Sequence, residues 1–493
     1  MEIVKRNINV FAVLAIIFTL ISMTYWSIYA IHNYNHFNND AREYATSFYY
    51  DAAYPNVAHG FQFLVFGNHI APDQVLLVPI YYIFQSPLTL LIIQGLFFSL
   101  TGLLVFFVAR DFLKIEILAL VLCIAFLISP SSQEVISSWY YLEYLIAPFS
   151  ILAFYYYTKL NKKLFYISTV LLLGTIEIAP LITAALGIGL IIREKIYEKN
   201  TRLKKERIGL ALNMLALAVV FLVLYNMIFY SLTSSYQAGY ANLPPVLKVL
   251  PFPTVPLAKG FVESSNFTDG FLTTTNSSSI IAHAQKNLLA GIINPFLTFG
   301  IGAVFNPIVT LIFTGPWIIG YLFISTVGGN QFNAFFIAGS MIATITGMDI
   351  AIRKLRKVKQ LRDRKIAIAF ISSSTMSIVI FFYIFNSLLT YAAGPSQFNQ
   401  QFLFQANATH DNVVNQLNSV LSLLPNNATV MADSLIYCHI TSREYVEQPG
   451  YDYYFVPEYI IVDFNSSLLN YNDELQCLKN PLCLSNNSSP YNY

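Results

Sequence analysis

Long apolar runs, broken by short polar stretches, recur along most of the chain. A run of about eighteen or more apolar residues is long enough to cross roughly 30 Å of hydrocarbon as a helix. The pattern predicts about eleven crossings, near 10–30, 87–109, 115–130, 144–158, 164–176, 179–192, 208–230, 288–303, 307–325, 333–351 and 366–390. Ten-residue segments of strict alternation, the mark of a membrane barrel, are not seen. The predicted fold class is an all-α polytopic membrane protein. The first apolar run is long, lacks a small-residue cleavage site and is followed by many more, so it reads as an uncleaved anchor.

Two long polar stretches, 31–86 and 231–287, interrupt the membrane domain of residues 1–390. The first ends in "GNHIAPDQVLLVPIYYIF", which reads as a short helix lying in or dipping into the membrane interface. Beyond 390, "NVVNQLNSVLSLLP" places Val413, Leu417, Val420, Leu421 and Leu424 at the spacing of an amphipathic helix. "ATVMAD" and "PEYIIVDF" read as short strands. Residues 391–493 therefore predict a small α/β tail domain.

The stretch 164–192, "LFYISTVLLLGTIEIAPLITAALGIGLII", is ambiguous by pattern alone. A single long helix or a hairpin turning near Gly174 to Pro180 both fit it. Each hairpin arm would be about 20 Å long at 1.5 Å per residue, short of the membrane thickness. The turn would then sit below the surface, where irregular backbone survives only against protein or a water-filled cavity. Glu177 lies in that turn.

Composition sharpens this picture. The chain is 56% hydrophobic and only 11% charged, with a mean hydropathy of +0.55, whereas soluble proteins average about 25% charged. The bilayer is the expected partner, and a net charge of +2 gives no sign of nucleic acid. With the amino terminus in the cytoplasm, all but six of the 28 Lys and Arg fall on the cytoplasmic side; the six are Arg42, Lys248, Lys259, Lys286, Arg443 and Lys479. The positive-inside rule favours that orientation. Sequons at Asn266, Asn276, Asn407, Asn427, Asn465, Asn486 and Asn487 all fall in segments this topology places outside. Both signals require the hairpin, because a single helix over 164–192 would invert everything after it. Of the four cysteines, Cys477 and Cys483 are spaced to close a small loop outside, and no metal-binding Cys or His spacing is present.

Candidate chemistry gathers on the outer side. "HNYNHFNNDAREYATSFYY" concentrates Asp40, Arg42 and Glu43 just past the first crossing. Glu177 opens to the same side, and an ionisable residue at membrane depth is a functional candidate by default. Two carboxylates on one outer cavity suit a general base or hard-oxygen ligation of a divalent cation, Mg or Mn, with Asp40 as the ligand. Arg42 is either their salt-bridge partner or a phosphate contact. His69, after Gly67 and Asn68, is a structural hydrogen-bonder or a site residue.

The stretch "GNHIAPDQVLLVPIYYIFQSPLTLLIIQGLFFSLTGLLVFFVAR" (67–110) resembles the signature of the domain-of-unknown-function 2079 family of multi-pass membrane proteins. The resemblance runs through His69, Pro72, Pro79, Ser86 to Leu91, Gln94 and Ala109-Arg110. Asp40 matches an upstream family acid and Glu177 the acid of a later segment, whereas a second family Asp falls on Ala45 and a further acid on Ile178. The family's layout is similar to the large C-type glycosyltransferase clan, in which a sugar is taken from a polyprenyl-phosphate donor on the outer leaflet. The resemblance implies catalytic roles for Asp40 and Glu177 and substrate contacts from Arg42, Glu43, His69 and Gln94. A transporter or flippase of lipid-linked sugar, with Glu177 in a broken helix pair, is the alternative, and a non-catalytic scaffold is the third.

Overall fold

The computed structural model describes residues 71–84, 87–137, 140, 142–232, 293–323, 333–355, 364–384, 419–425, 428–432, 446–447 and 458–461, with Val13 and Ile17. Asp40, Arg42, Glu43, His69 and the sequon asparagines lie outside the described residues, as does the first expected crossing apart from those two.

The described residues are mostly helical. Helix α1 is Val78–Ile83, α2 Pro87–Leu113, α3 Glu116–Ile128, α4 Pro130–Ser137, α5 Ile146–Lys159, α6 Lys162–Leu173, α7 Ala179–Tyr197, α8 Thr201–Leu232, α9 Pro307–Phe323, α10 Ala334–Leu355 and α11 Arg364–Ile384. Three of them contain stretches long and apolar enough to cross a membrane: Thr89–Leu113, Thr201–Tyr225 and Ala334–Leu355. Shorter apolar stretches fill Glu116–Ile128, Pro307–Ile319 and Lys365–Phe381.

Two departures from the apolar pattern have local causes. Between α3 and α5 the chain forms α4 and a 3-10 turn, Leu142–Leu145, where the pattern assigned no element. Ser129 starts α4: its Oγ accepts from the Ser132 amide at 3.3 Å and Pro130 follows in the first helical position. The expected crossing at 288–303 is helical only as far as Leu297 among the described residues. Gly300 then adopts φ +97°, a left-handed conformation that breaks the helix, and a 3-10 turn, Gly302–Phe305, leads into α9.

By packing, the chain divides into two compact units. One includes Val65–Gln74 and Ile93–Phe404 and holds the bundle from the body of α2 through α11. The other includes Val75–Ile92 and Gln405–Tyr493. In it β1 (Val430–Ala432) pairs in parallel with β2 (Val446–Glu447) on one side and β3 (Tyr459–Ile461) on the other. Val430 stands opposite Val446 and Tyr459.

In the bundle, α10 is the central helix, packed on α5, α9, α11 and the turn at Gly302–Phe305. Its close contacts use small residues, as expected where packing rather than the hydrophobic effect joins helices in lipid. A Cβ on Gly347 would collide with the Gly302 carbonyl oxygen, and a Cβ on Gly339 would meet the Phe313 carbonyl oxygen at 2.8 Å. The contact is sealed by Asn306, whose Nδ2 donates to Thr346 Oγ1 at 3.1 Å, and by Ser340, which donates to the Pro295 carbonyl at 2.5 Å.

One end of this bundle is charged. Buried Glu194 on α7 pairs with Arg193 and, at 3.7 Å, with Arg207 on α8; Arg207 also reaches Glu198 at 3.1 Å and the Thr158 carbonyl of α5 at 3.3 Å. Asp111 at the end of α2 bonds Lys159 at the end of α5 at 2.6 Å. The ends of α2, α5 and α7 and the start of α8 therefore meet there.

Replacing Gly347 by Ala sets a methyl group against backbone and is expected to cost about 1–3 kcal/mol, read as a lower melting temperature in detergent. Gly209→Ala, which meets nothing within 4 Å on α8, is expected to be neutral or to add up to about 1 kcal/mol. Equal effects from the two variants would contradict the α10 packing.

Candidate functional site

At the other end of α6 and α7 the chain breaks rather than running on. Helix α6 has 12 residues, about 18 Å of rise, and ends at Leu173 with Gly174 as its cap; α7 starts again at Ala179. The turn Gly174–Ile178 carries Glu177. Asn161 fixes the opposite end of α6, its Oδ1 accepting from the Leu164 amide at 3.2 Å.

Much of the backbone of this turn is paired within the protein. The Gly174 amide donates to Val170 at 2.9 Å, the Thr175 amide to Leu172 at 3.3 Å and the Ala179 amide to Ile176 at 2.9 Å. The Thr175 hydroxyl donates to the Leu172 carbonyl at 2.8 Å, and the Tyr225 hydroxyl of α8 donates to the Leu173 carbonyl at 2.6 Å. The Gly174 carbonyl accepts from the backbone amide of Asp73 at 3.1 Å. That last bond ties the turn to residues 101 positions earlier, in the 3-10 turn Pro72–Leu77.

Asp73 and Glu177 are both buried, at 8% and 4% exposure. The Asp73 carboxyl rests against the Cα of Gly174, where a Cβ would strike Oδ1. The Tyr225 hydroxyl is within electrostatic reach of both carboxylates, and Tyr144 is within reach of Asp73. Asp73 lies outside the spanning helices, and burial pushes its carboxyl from the ordinary 3.8 up to about 7. Next to it Gln74, fully buried, accepts a hydrogen bond from the Tyr140 hydroxyl. Tyr140 and Tyr144 have their rings 5.6 Å apart. The arrangement offers two carboxyl groups, three phenols and an amide at the end of α6 and α7 away from the charged clamp. A carboxyl titrating near neutrality can hold or release a proton under working conditions.

Sequence reasoning placed Glu177 in a hairpin turn, and in the structure it lies between α6 and α7, buried in the protein. Gln94 is buried, with its Nε2 donating to the Val135 carbonyl at 3.1 Å, joining α2 to α4. Asp40, Arg42, Glu43 and His69 are outside the described residues. Sequence reasoning did not single out Asp73 as a site residue. The available signal was its place inside the "HIAPDQ" stretch, directly after His69 and Pro72. Among the described residues no three His, Cys, Asp or Glu side chains gather into a metal-binding group. The Mg or Mn expectation therefore rests on Asp40, and no chemical step is assigned to a metal.

Residues 33–481 match the model of the DUF2079 family, described as predicted membrane protein, and the chain belongs to that family. Asp40, Asp73, Gln94 and Glu177 all fall within the matched span. A comparison with curated proteins finds no match.

Asp73 generates a pH prediction. Its proton is held by the folded protein at pH values where the unfolded chain has already lost it. The stability this group contributes is full below about 3.8 and declines as pH rises through about 7. Asp73→Asn, neutral throughout, removes the decline. Its melting temperature relative to wild type is expected to rise between about pH 4 and about pH 8, with a ceiling on the order of 4 kcal/mol. A constant difference across that range would mean the carboxyl is ionised throughout.

Proposed function

We propose that this DUF2079 member is a membrane glycosyltransferase that takes a sugar from a polyprenyl-phosphate donor at the extracytoplasmic face. The observation that carries the reading is the burial of two carboxyl groups, Asp73 and Glu177, at the broken end of the α6–α7 hairpin, away from the basic clamp of Arg193 and Arg207. A clamp of that composition belongs on the cytoplasmic side by the positive-inside rule, which assigns the carboxyl end to the outside.

In this reading a carboxylate takes the proton of the acceptor hydroxyl. The acceptor oxygen bonds to the sugar C1, the bond from C1 to the phosphate oxygen breaks, and polyprenyl phosphate leaves with its electron pair. Asp40 is the base, Glu177 lines the site, Arg42 meets the donor phosphate, His69 orders the first outer loop, Glu43 contacts the substrate, and Gln94 joins α2 to α4. The chain crosses the membrane of the cell about eleven times, with a cytoplasmic amino terminus. Its tail forms an extracytoplasmic α/β domain around the three parallel strands, and Asn266, Asn276, Asn407, Asn427 and Asn465 carry glycans. A Mg or Mn ion on Asp40 is part of the proposal.

The helix break also favours a second reading. Discontinuous helices with an acid at the break are a transporter feature, and a flippase of lipid-linked sugar would use Glu177 as a coupling or substrate group.

One experiment separates the two. Membranes carrying wild type, Asp40→Asn or Glu177→Gln receive a radiolabelled polyprenyl-phosphate sugar. Transfer of label from lipid to acceptor is expected in wild type and is expected to fall about 100-fold in each variant. Movement of intact labelled lipid between leaflets without transfer would replace the enzyme with the flippase. Wild-type transfer by both variants would remove the carboxylates from the chemistry.

A further inference from the structure

Around the clamp, the segments 110–116, 159–163 and 193–207 carry twelve Lys and Arg against five Asp and Glu. They are the ends of α2, α5 and α7 and the starts of α3, α6 and α8. Four of the acids are engaged inside the protein. Glu194 holds Arg193 and Arg207, Glu198 holds Arg207, Glu206 holds Arg202 and Asp111 holds Lys159. Lys163, Lys195, Lys199 and Lys205 are exposed and have no ion pair among the described residues.

These lysines share helix faces with exposed apolar side chains. On α6, Lys163, Ile167 and Val170 lie at i, i+4 and i+7, on one face. On α7, Ile188, Lys195 and Lys199 lie at i, i+7 and i+11. On α8, Lys205, Leu212, Val219 and Val223 lie at i, i+7, i+14 and i+18. At 1.5 Å per residue Val223 is about 27 Å along the axis from Lys205, close to the roughly 30 Å depth of hydrocarbon. Helix α8 is also the least buried of the three candidate spans. The three helices are neighbours: α8 packs along α7, and Asn213 of α8 donates to the Tyr166 hydroxyl of α6 at 2.6 Å. The lysines therefore stand at headgroup height, in line with apolar stripes that face lipid tails.

We propose that this face of α6, α7 and α8 binds an anionic phospholipid of the cytoplasmic leaflet. The headgroup phosphate meets the ammonium groups of Lys163, Lys195, Lys199 and Lys205, and the acyl chains lie along the stripes. The positive-inside rule assigns this end to the cytoplasm. Each lysine near an anionic leaflet strengthens binding about fivefold. A zwitterionic lipid covers the stripes but brings no net charge to the lysines. A soluble acidic peptide meets the lysines and leaves the stripes uncovered, whereas a single charged amphiphile spans both. The clamp keeps its structural part: by engaging the acids, it leaves these four lysines free for a partner. Nothing here rests on the glycosyl-transfer reading, whose groups lie at the opposite end of the hairpin.

The test uses purified full-length protein in uncharged detergent and reads displacement of a fluorescent phosphatidylglycerol. The competitors are phosphatidylglycerol, phosphatidylcholine, glycerol phosphate and a polyglutamate peptide. Unlabelled phosphatidylglycerol is expected to compete about 100-fold better than each of the others. The triple variant Lys163→Gln, Lys195→Gln, Lys205→Gln is expected to lose that advantage, and the corresponding Lys→Arg triple is expected to keep it. Lys248→Gln, Lys259→Gln and Lys286→Gln together remove the same charge from the stretch 231–287 and are expected to leave it intact. The advantage is also expected to vanish in wild type at about 1 M salt, so the test stands if the Gln triple fails to fold. Equal competition by phosphatidylcholine would mean that the stripes act alone. Equal competition by glycerol phosphate would mean a free phosphate site, and stronger competition by polyglutamate an acidic protein partner. Each of these overturns the proposal, as does full affinity in the Gln triple, an equal loss in the 231–287 triple, an advantage that survives high salt, or no binding of the labelled lipid to wild type.

Discussion

A peptide group in hydrocarbon must find its hydrogen-bond partners inside the protein. The break between α6 and α7 interrupts the helix ladder inside the bundle, and its backbone groups face the same demand. The chain meets it by bringing in outside groups. The Tyr225 hydroxyl completes the Leu173 carbonyl and the Asp73 amide completes the Gly174 carbonyl, beside a set of short-range bonds within the turn. Gly174 is needed there for space: any side chain would occupy the place of the Asp73 carboxyl. The same close approach that satisfies the backbone thus carries an acid to the hairpin, where Glu177 already sits.

The two ends of the hairpin follow opposite physical logic. At the clamp, Glu194 is buried but faces Arg193 and Arg207, so its charge is matched. Around the turn the nearby groups are carboxyls, phenols and an amide, and burial favours a protonated Asp73. A matched pair holds helices together. Among the described residues Asp73 Oδ2 and Gln74 Nε2 have no hydrogen-bond partner. That asymmetry is why the functional reading belongs to the turn end and the clamp is read as structural.

Much of this was legible in the sequence, and the reason is the membrane. Apolar runs located α2, α3, α5, α9, α10 and α11 to within a few residues. Pattern could not divide 164–192; the division came from the basic residues and sequons that flank it. The break at Gly300 was missed because its surroundings are apolar on both sides, and only backbone conformation marks it. Asp73 was passed over for a different reason. An acid in a loop looks solvated, and the contact that buries it joins positions 101 residues apart with no periodicity to announce it. Gln94 carried a family motif but no mechanical meaning until Val135 was seen to accept from it.

The most direct test asks on which side the ends of α6 and α7 emerge. Lys163 and Lys199 are exposed at the two ends of the hairpin, and each can be changed to Cys in a chain whose four native cysteines are replaced by Ser. A membrane-impermeant thiol reagent is applied to intact cells and to inverted vesicles. With the hairpin, both positions react from the cytosolic face alone. Reaction of Lys163→Cys and Lys199→Cys from opposite faces would mean one continuous crossing, and the turn with its buried acids would not exist.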